Sequence, residues 1–100
     1  MDLTLGEFRN LARKWESEGT KLWGRLESVS PAPMNVNMPH ASVSLSDEAL
    51  TLREGENTVT IQLLSLMQYQ YSASEGSEVR SMTLEVKALV WRCILSESSV

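Results

Sequence analysis

Few side chains in this chain of 100 residues have the chemistry of a reactive centre, and their spacing keeps them apart. His40 is the only histidine and Cys93 the only cysteine. A histidine base needs an orienting acceptor and a nucleophile within hydrogen-bond reach. His40 stands instead in "SPAPMNVNMPH", among prolines and methionines. Cys93 follows Arg92 in "WRCIL", which sets a cation next to a thiol in sequence. In a strand, adjacent side chains point to opposite faces, so Arg92 would not address that sulfur. A buried, structural thiol is the expectation. Asp47, Glu48, Glu54 and Glu56 form the densest acidic group. They lack the alternating oxygen ligands and terminal glutamate of a calcium loop, and turns between strands are commonly acidic for solubility. G-x-S-x-G, a P-loop, G-x-G-x-x-G and H-E-x-x-H are all missing. The reading is therefore no catalytic residue, no metal site and no cofactor, hence not an enzyme.

Tyr69 and Tyr71, two apart in "QYQYS", share one face of any strand through them. Aromatics so placed stack a ligand, anchor a contact, or pack across the strand pair against Val79 or Met82. Arg9 and Arg13 in "RNLAR" resemble the Arg-x-x-x-Arg that precedes the barrel of the PilZ cyclic-dinucleotide receptors. That family's second element is an Asp/Asn-x-Ser-x-x-Gly strand. The nearest segment here, "ASVSLSDEA", lacks both the glycine and the leading acid or amide. The resemblance stops at one motif, and a cyclic-dinucleotide receptor is only a remote reading.

Charge limits the partners. The net charge is −4 and uneven: residues 30–79 carry one base, Arg53, against six acids. Nucleic-acid backbones and anionic membranes require a localised positive patch, so neither is expected as a partner. A single cysteine rules out an intrachain disulfide. The opening "MDLTLGEFRN" has no basic region leading into an apolar core, and no apolar run reaches spanning length, so a cytoplasmic location is expected.

The elements that would position these residues read as α+β, in one domain spanning residues 1–100. Thr4 and Glu7 have the spacing of a reciprocal capping box, flanked by Leu3 and Phe8 as a hydrophobic staple. Leu5, Phe8, Leu11, Ala12 and Trp15 then recur at helical spacing until Gly19, predicting an amphipathic helix from about 5 to 17. "KLWGRLESV" alternates as a strand. Residues 30–40 hold three prolines and read as a surface connector, although Met34, Val36 and Met38 alternate. "ASVSLS" and "ALTLRE" form a hairpin around Asp47-Glu48, with "EGEN" as the next turn. A long β-hairpin is expected over about 57–96, turning near Glu75 and Gly76, with a bulge where Leu64 and Leu66 slip the alternation. The whole is an N-terminal helix packed on a mainly antiparallel, strongly bent sheet or partial barrel of about five strands.

The C-terminal stretch "LEVKALVWRCIL" raises the functional question. Read as one strand, Met82, Leu84, Val86, Ala88 and Val90 line one face while Leu89, Trp91, Cys93 and Leu95 line the other. Two apolar faces need two covers. Each strand of the long hairpin would also span roughly 50 Å at ~3.3 Å per residue, against a diameter of ~26 Å for a compact chain of this length. The α-helix would cover part, and a protein partner or a second copy the rest. A non-catalytic association domain is the expected function, with Trp91, Leu95, Leu89, Tyr69 and Tyr71 as its candidate surface. The alternative is a small-ligand receptor with a pocket between sheet and helix.

Overall fold

The computed structural model describes residues 1–28, 34–64, 66–75 and 80–97. The elements in chain order are β1 (Asp2–Leu3), α1 (Leu5–Glu18), β2 (Leu22–Ser28), β3 (Met34–Leu45), β4 (Ala49–Glu54), β5 (Asn57–Gln62), β6 (Gln68–Glu75), β7 (Arg80–Lys87) and β8 (Trp91–Glu97). The α+β class holds. Among the described residues the strand number is eight, not about five.

Helix α1 begins where the sequence says it should. Thr4 Oγ1 accepts from the Glu7 amide at 3.1 Å, and Glu7 Oε1 accepts from the Thr4 amide at 2.9 Å. These bonds satisfy two groups that a helix start otherwise leaves without partners. Gly19 ends it at φ 66°, in the left-handed region. Phe8, Ala12 and Trp15 are buried along one stripe. Outside that stripe, Arg9 reaches across to the turn between β3 and β4. Its Nη2 donates to the Ser46 carbonyl at 2.9 Å and its Nη1 to the Asp47 carbonyl. Glu16 Oε2 accepts from the Leu45 amide at 2.6 Å.

Every strand pairing is antiparallel, in the order β1-β6-β7-β8-β2-β3-β4-β5. Among the described residues the ladder does not close, which leaves β1 and β5 at its edges. Strand β3 makes the bend. Residues 34–41 pair with β2 and residues 42–45 with β4. The register slips between Leu22↔Ala41 and Gly24↔Met38. Met38 is buried, and so are Ala41 and Val43, so the inward phase changes parity over Pro39 and His40. That is the signature of a β-bulge, a position where a strand tolerates proline.

The connector expected over 30–40 is thus corrected: from Met34 onward it is strand. The alternation of Met34, Val36 and Met38 was the better signal. Prolines weaken a central strand only where the missing N–H belongs to a ladder bond, and a bulge supplies the exempt position. Residues 30–33 lie outside those described.

The long hairpin over 57–96 is corrected as well. It is four strands, not two. β5 ends at Gln62 and pairs with β4, not with the C-terminal strand. The chain then turns, with the Met67 amide donating to the Leu64 carbonyl at 3.1 Å, and restarts as β6. β6 and β7 do form an antiparallel pair, with Gln68 opposite Lys87 and Tyr71 opposite Leu84. The turn expected near Glu75 and Gly76 falls on residues 76–79, which lie outside those described. A second reversal at Leu89-Val90, closed by Ala88 N–H to Trp91 O at 2.9 Å, folds β8 back on β7.

This last reversal removes the two-faced ribbon. Leu84 stands opposite Leu95 and Val86 opposite Cys93. Residues opposite one another in an antiparallel pair share a face. All four are buried in the same core, with Phe8, Leu22, Leu50, Leu52, Ile61 and Tyr69 among their companions. The apolar positions that look two-sided along a straight strand become one-sided once the strand doubles back.

Candidate functional site

The single histidine and the single cysteine lie on different strands, His40 on β3 and Cys93 on β8. His40 is exposed at the bulge, where its main-chain N–H donates to Glu54 Oε2 at 2.6 Å. Cys93 is fully buried, and burial pushes its thiol up to about 12. Arg92 points the other way, as alternation required. Its Nε contacts Glu27 Oε2 at 2.6 Å, while Arg25 holds Glu27 Oε1 at 2.8 Å. The Arg92 hydrogen bond holds the Glu27 carboxyl below its ordinary range; desolvation opposes it, and the charges of Arg25 and Arg92 add smaller lowering effects. Among the described residues, no group of three or more His, Cys, Asp or Glu side chains is placed to hold a metal ion. Arg9, half of the Arg-x-x-x-Arg pair, is engaged with the two carbonyls of the β3–β4 turn.

The five residues expected to form an association surface separate into core, half-buried and exposed. Leu95 and Tyr69 are core. The Tyr69 ring sits 4.9 Å from Phe8, centroid to centroid, and its hydroxyl donates to the Leu64 carbonyl at 2.6 Å. Burial raises the Tyr69 pKa, with the Leu64 bond opposing it. Tyr71 is half-buried, and its N–H donates to the Met1 carbonyl at 2.8 Å. Trp91 is half-buried like Tyr71, and only Leu89 is entirely exposed.

Leu89 does not stand alone. The Leu89-Val90 reversal and the Leu64–Met67 turn lie side by side, because Lys87 pairs with Gln68 just below them. Both turns carry apolar side chains at their tips. Leu66 is 95% exposed, Leu89 101%, Leu64 50% and Val90 43%. Turn tips ordinarily take Gly, Asn, Asp or Ser, for their backbone tolerance and their hydration. A leucine sheds ~1.5–3 kcal/mol when it leaves water, and nothing in the fold gathers that energy here. Leu66 and Leu64 interrupted the expected alternation in the sequence. That interruption was the signal of a turn, and it was read as a bulge.

Beyond the tips the apolar surface continues into a groove of about 480 Å³ beside β5, lined by Leu26, Val59, Ile61, Leu64, Met67 and Trp91. A second, larger groove of about 750 Å³ runs between α1 and the sheet. Leu3, Leu11, Trp15, Tyr71 and Met82 line it, with Glu7, Lys14, Glu18 and Glu97 around them. Trp15 Nε1 donates to Glu97 Oε1 there at 3.1 Å. Comparison with protein-family models, with curated proteins and with solved structures gives no match.

Proposed function

We propose that this chain is a non-catalytic interaction domain that works through self-association, using the end of the sheet that carries the Leu64–Met67 and Leu89-Val90 turns. The observation that carries this reading is the pairing of two turn tips, each presenting a fully exposed leucine, next to a groove lined by Trp91. Isolated surface leucines are ordinary, whereas a contiguous group at neighbouring tips marks a contact surface. Burial of such a group on association recovers the hydrophobic free energy that the monomer leaves unused.

Sedimentation velocity at micromolar concentration tests it. The expected result is a concentration-dependent dimer for the wild-type chain and a monomer for Leu66→Asp/Leu89→Asp. Both side chains are exposed, so thermal unfolding of the dilute variant should be unchanged. A wild-type chain that stays monomeric at every concentration overturns the reading.

The α1 groove supports a second reading, a receptor for a small amphiphile. Its volume falls in the range of small-molecule sites, with apolar walls and a few charged groups. A thermal-shift screen with lipids, nucleotides and amine-bearing metabolites separates the two. Stabilisation that Trp15→Ala or Met82→Ala abolishes favours the receptor, and no stabilisation by any compound removes it.

A further inference from the structure

Strand β5, at one edge of the sheet, turns alternate main-chain groups away from its partner strand. In an antiparallel ladder, directly opposite residues exchange both main-chain bonds at every second pair. The Leu63 amide donates to the Glu48 carbonyl at 2.8 Å, and Leu50 stands opposite Ile61 in the same register. Val59, Ile61 and Leu63 therefore direct their main-chain groups toward β4. Thr58, Thr60 and Gln62 direct theirs outward, over the edge, where no described strand pairs with them.

Among the described residues this edge carries none of the usual protection. Natural edge strands are blunted by charge, proline, a bulge, or a very short length. The stretch "NTVTIQ" has six residues, no charge, no proline and a regular register. Val59 and Ile61 lie on the core side, whereas Thr58, Thr60 and Gln62 are exposed on the outer side.

We propose that β5 pairs antiparallel with β5 of a second copy, about a two-fold axis through Thr60. This deepens the association reading and rests on it. Opposite residues of a pair must share a face, which restricts the register to same-parity partners. With Thr60 opposite Thr60, Thr58 meets Gln62 on the outer side, and Val59 meets Ile61 on the core side. Apolar meets apolar, hydroxyl meets hydroxyl or amide, and no like charges oppose one another. Every outward N–H of Thr58, Thr60 and Gln62 finds a carbonyl. An isologous interface demands this self-complementarity, whereas an unrelated partner strand would not require it. The groove lined by Leu26, Met67 and Trp91 runs beside the same edge and adds apolar contact on the core side.

Two measurements on the full chain decide it. Thr60→Pro deletes an outward N–H and leaves the β4 ladder intact, a position where an edge strand accepts proline. With one donor lost from each copy, dimerisation should weaken roughly 30-fold. Thr60→Cys, treated with a short bis-maleimide, should give a covalent dimer rapidly, with buried Cys93 spared. Thr51→Cys is the control. Thr51 lies opposite Thr60 on the adjacent strand, with hydroxyls 3.3 Å apart, but it is one strand further from the axis. Its two copies would stand roughly 15 Å apart, three strand spacings, and cross-link far more slowly.

Equal cross-linking of the two cysteine variants, or undiminished dimerisation of Thr60→Pro, overturns the β5 axis. If Leu66→Asp/Leu89→Asp still yields monomers in that case, association through the turn tips stands without it. A monomeric wild-type chain overturns both.

Discussion

Leu52 Cδ1 lies 3.0 Å from where a β-carbon on Gly24 would sit, although β2 and β4 are separated in the sheet by β3. Leu95 Cδ2 and Met38 Cβ close the same spot at 3.7 and 4.0 Å. The bulge in β3 turns the sheet over on itself, so that β4 faces β2 across the core. A side chain at position 24 would occupy the space where the two layers touch. Gly24→Ala should cost ~1–3 kcal/mol, the usual range for an overpacked core. Leu52→Val withdraws the crowding methyl, so the two changes together should cost less than their sum. Urea denaturation of both single variants and the double variant measures the coupling. A Gly24→Ala protein as stable as the wild type would show that the layers are further apart than described.

Arg9 ties the helix to the hairpin turn by addressing the carbonyls of Ser46 and Asp47 at once. A guanidinium presents its donors in a fixed fork, and a lysine ammonium cannot reproduce that geometry. Arg9→Ala should destabilise the fold by about 1 kcal/mol, at the lower end for bonds made by a charged donor because the site is exposed. Arg9→Lys should recover only part of this. Equal stability of the two variants in chemical denaturation would mean that the fork is not what matters.

Cys93 provides a readout of global unfolding. The native thiol is neutral and enclosed, so a thiol-specific reagent at pH 8 should label it only through the unfolded state, at a rate set by the opening equilibrium. The sign of the pH dependence follows from its raised pKa. An unfolded thiol ionises near ~8.5, whereas the folded one stays protonated up to about 12. Unfolding therefore releases a proton within that window, and the thiol's contribution to stability, complete below it, is lost as pH rises through it. The slope from this group is at most ~1.4 kcal/mol per pH unit. Cys93→Ala should flatten the alkaline limb of the stability curve. An unchanged limb would locate the sensitivity in other groups.

The turn tips, the β5 edge and the sheet bend have a common origin in how the chain doubles back. Neither of the two reversals at the apolar end carries a glycine. Leu89 and Val90 occupy the centre of a tight hairpin with no glycine, asparagine or aspartate, and no non-glycine residue takes a positive φ among those described. The Leu64–Met67 turn also lacks a glycine. In contrast, the "EGEN" turn carries Gly55 at φ 59°, and the sequence located it directly.

Local chemistry was enough for the parts whose stabilisation is local. The capping box, the helical stripe and Gly19 defined α1. The alternation in "KLWGRLESV" and the Asp47-Glu48 hairpin defined β2, β4 and only the C-terminal part of β3, and alternation separated Arg92 from the Cys93 sulfur. What alternation could not decide was which apolar residues share a face, because a two-residue reversal shifts the inward parity from Leu84 and Val86 to Cys93 and Leu95, and along a straight strand that shift looks like a second apolar face. Only the partner strand settles that. Leu95 pairs with Leu84 and joins the core, while Leu89 is left at the tip of the turn between them. The distinction between core and contact surface depends on where the chain reverses, and apolar periodicity along "LEVKALVWRCIL" does not by itself place that reversal at Leu89-Val90.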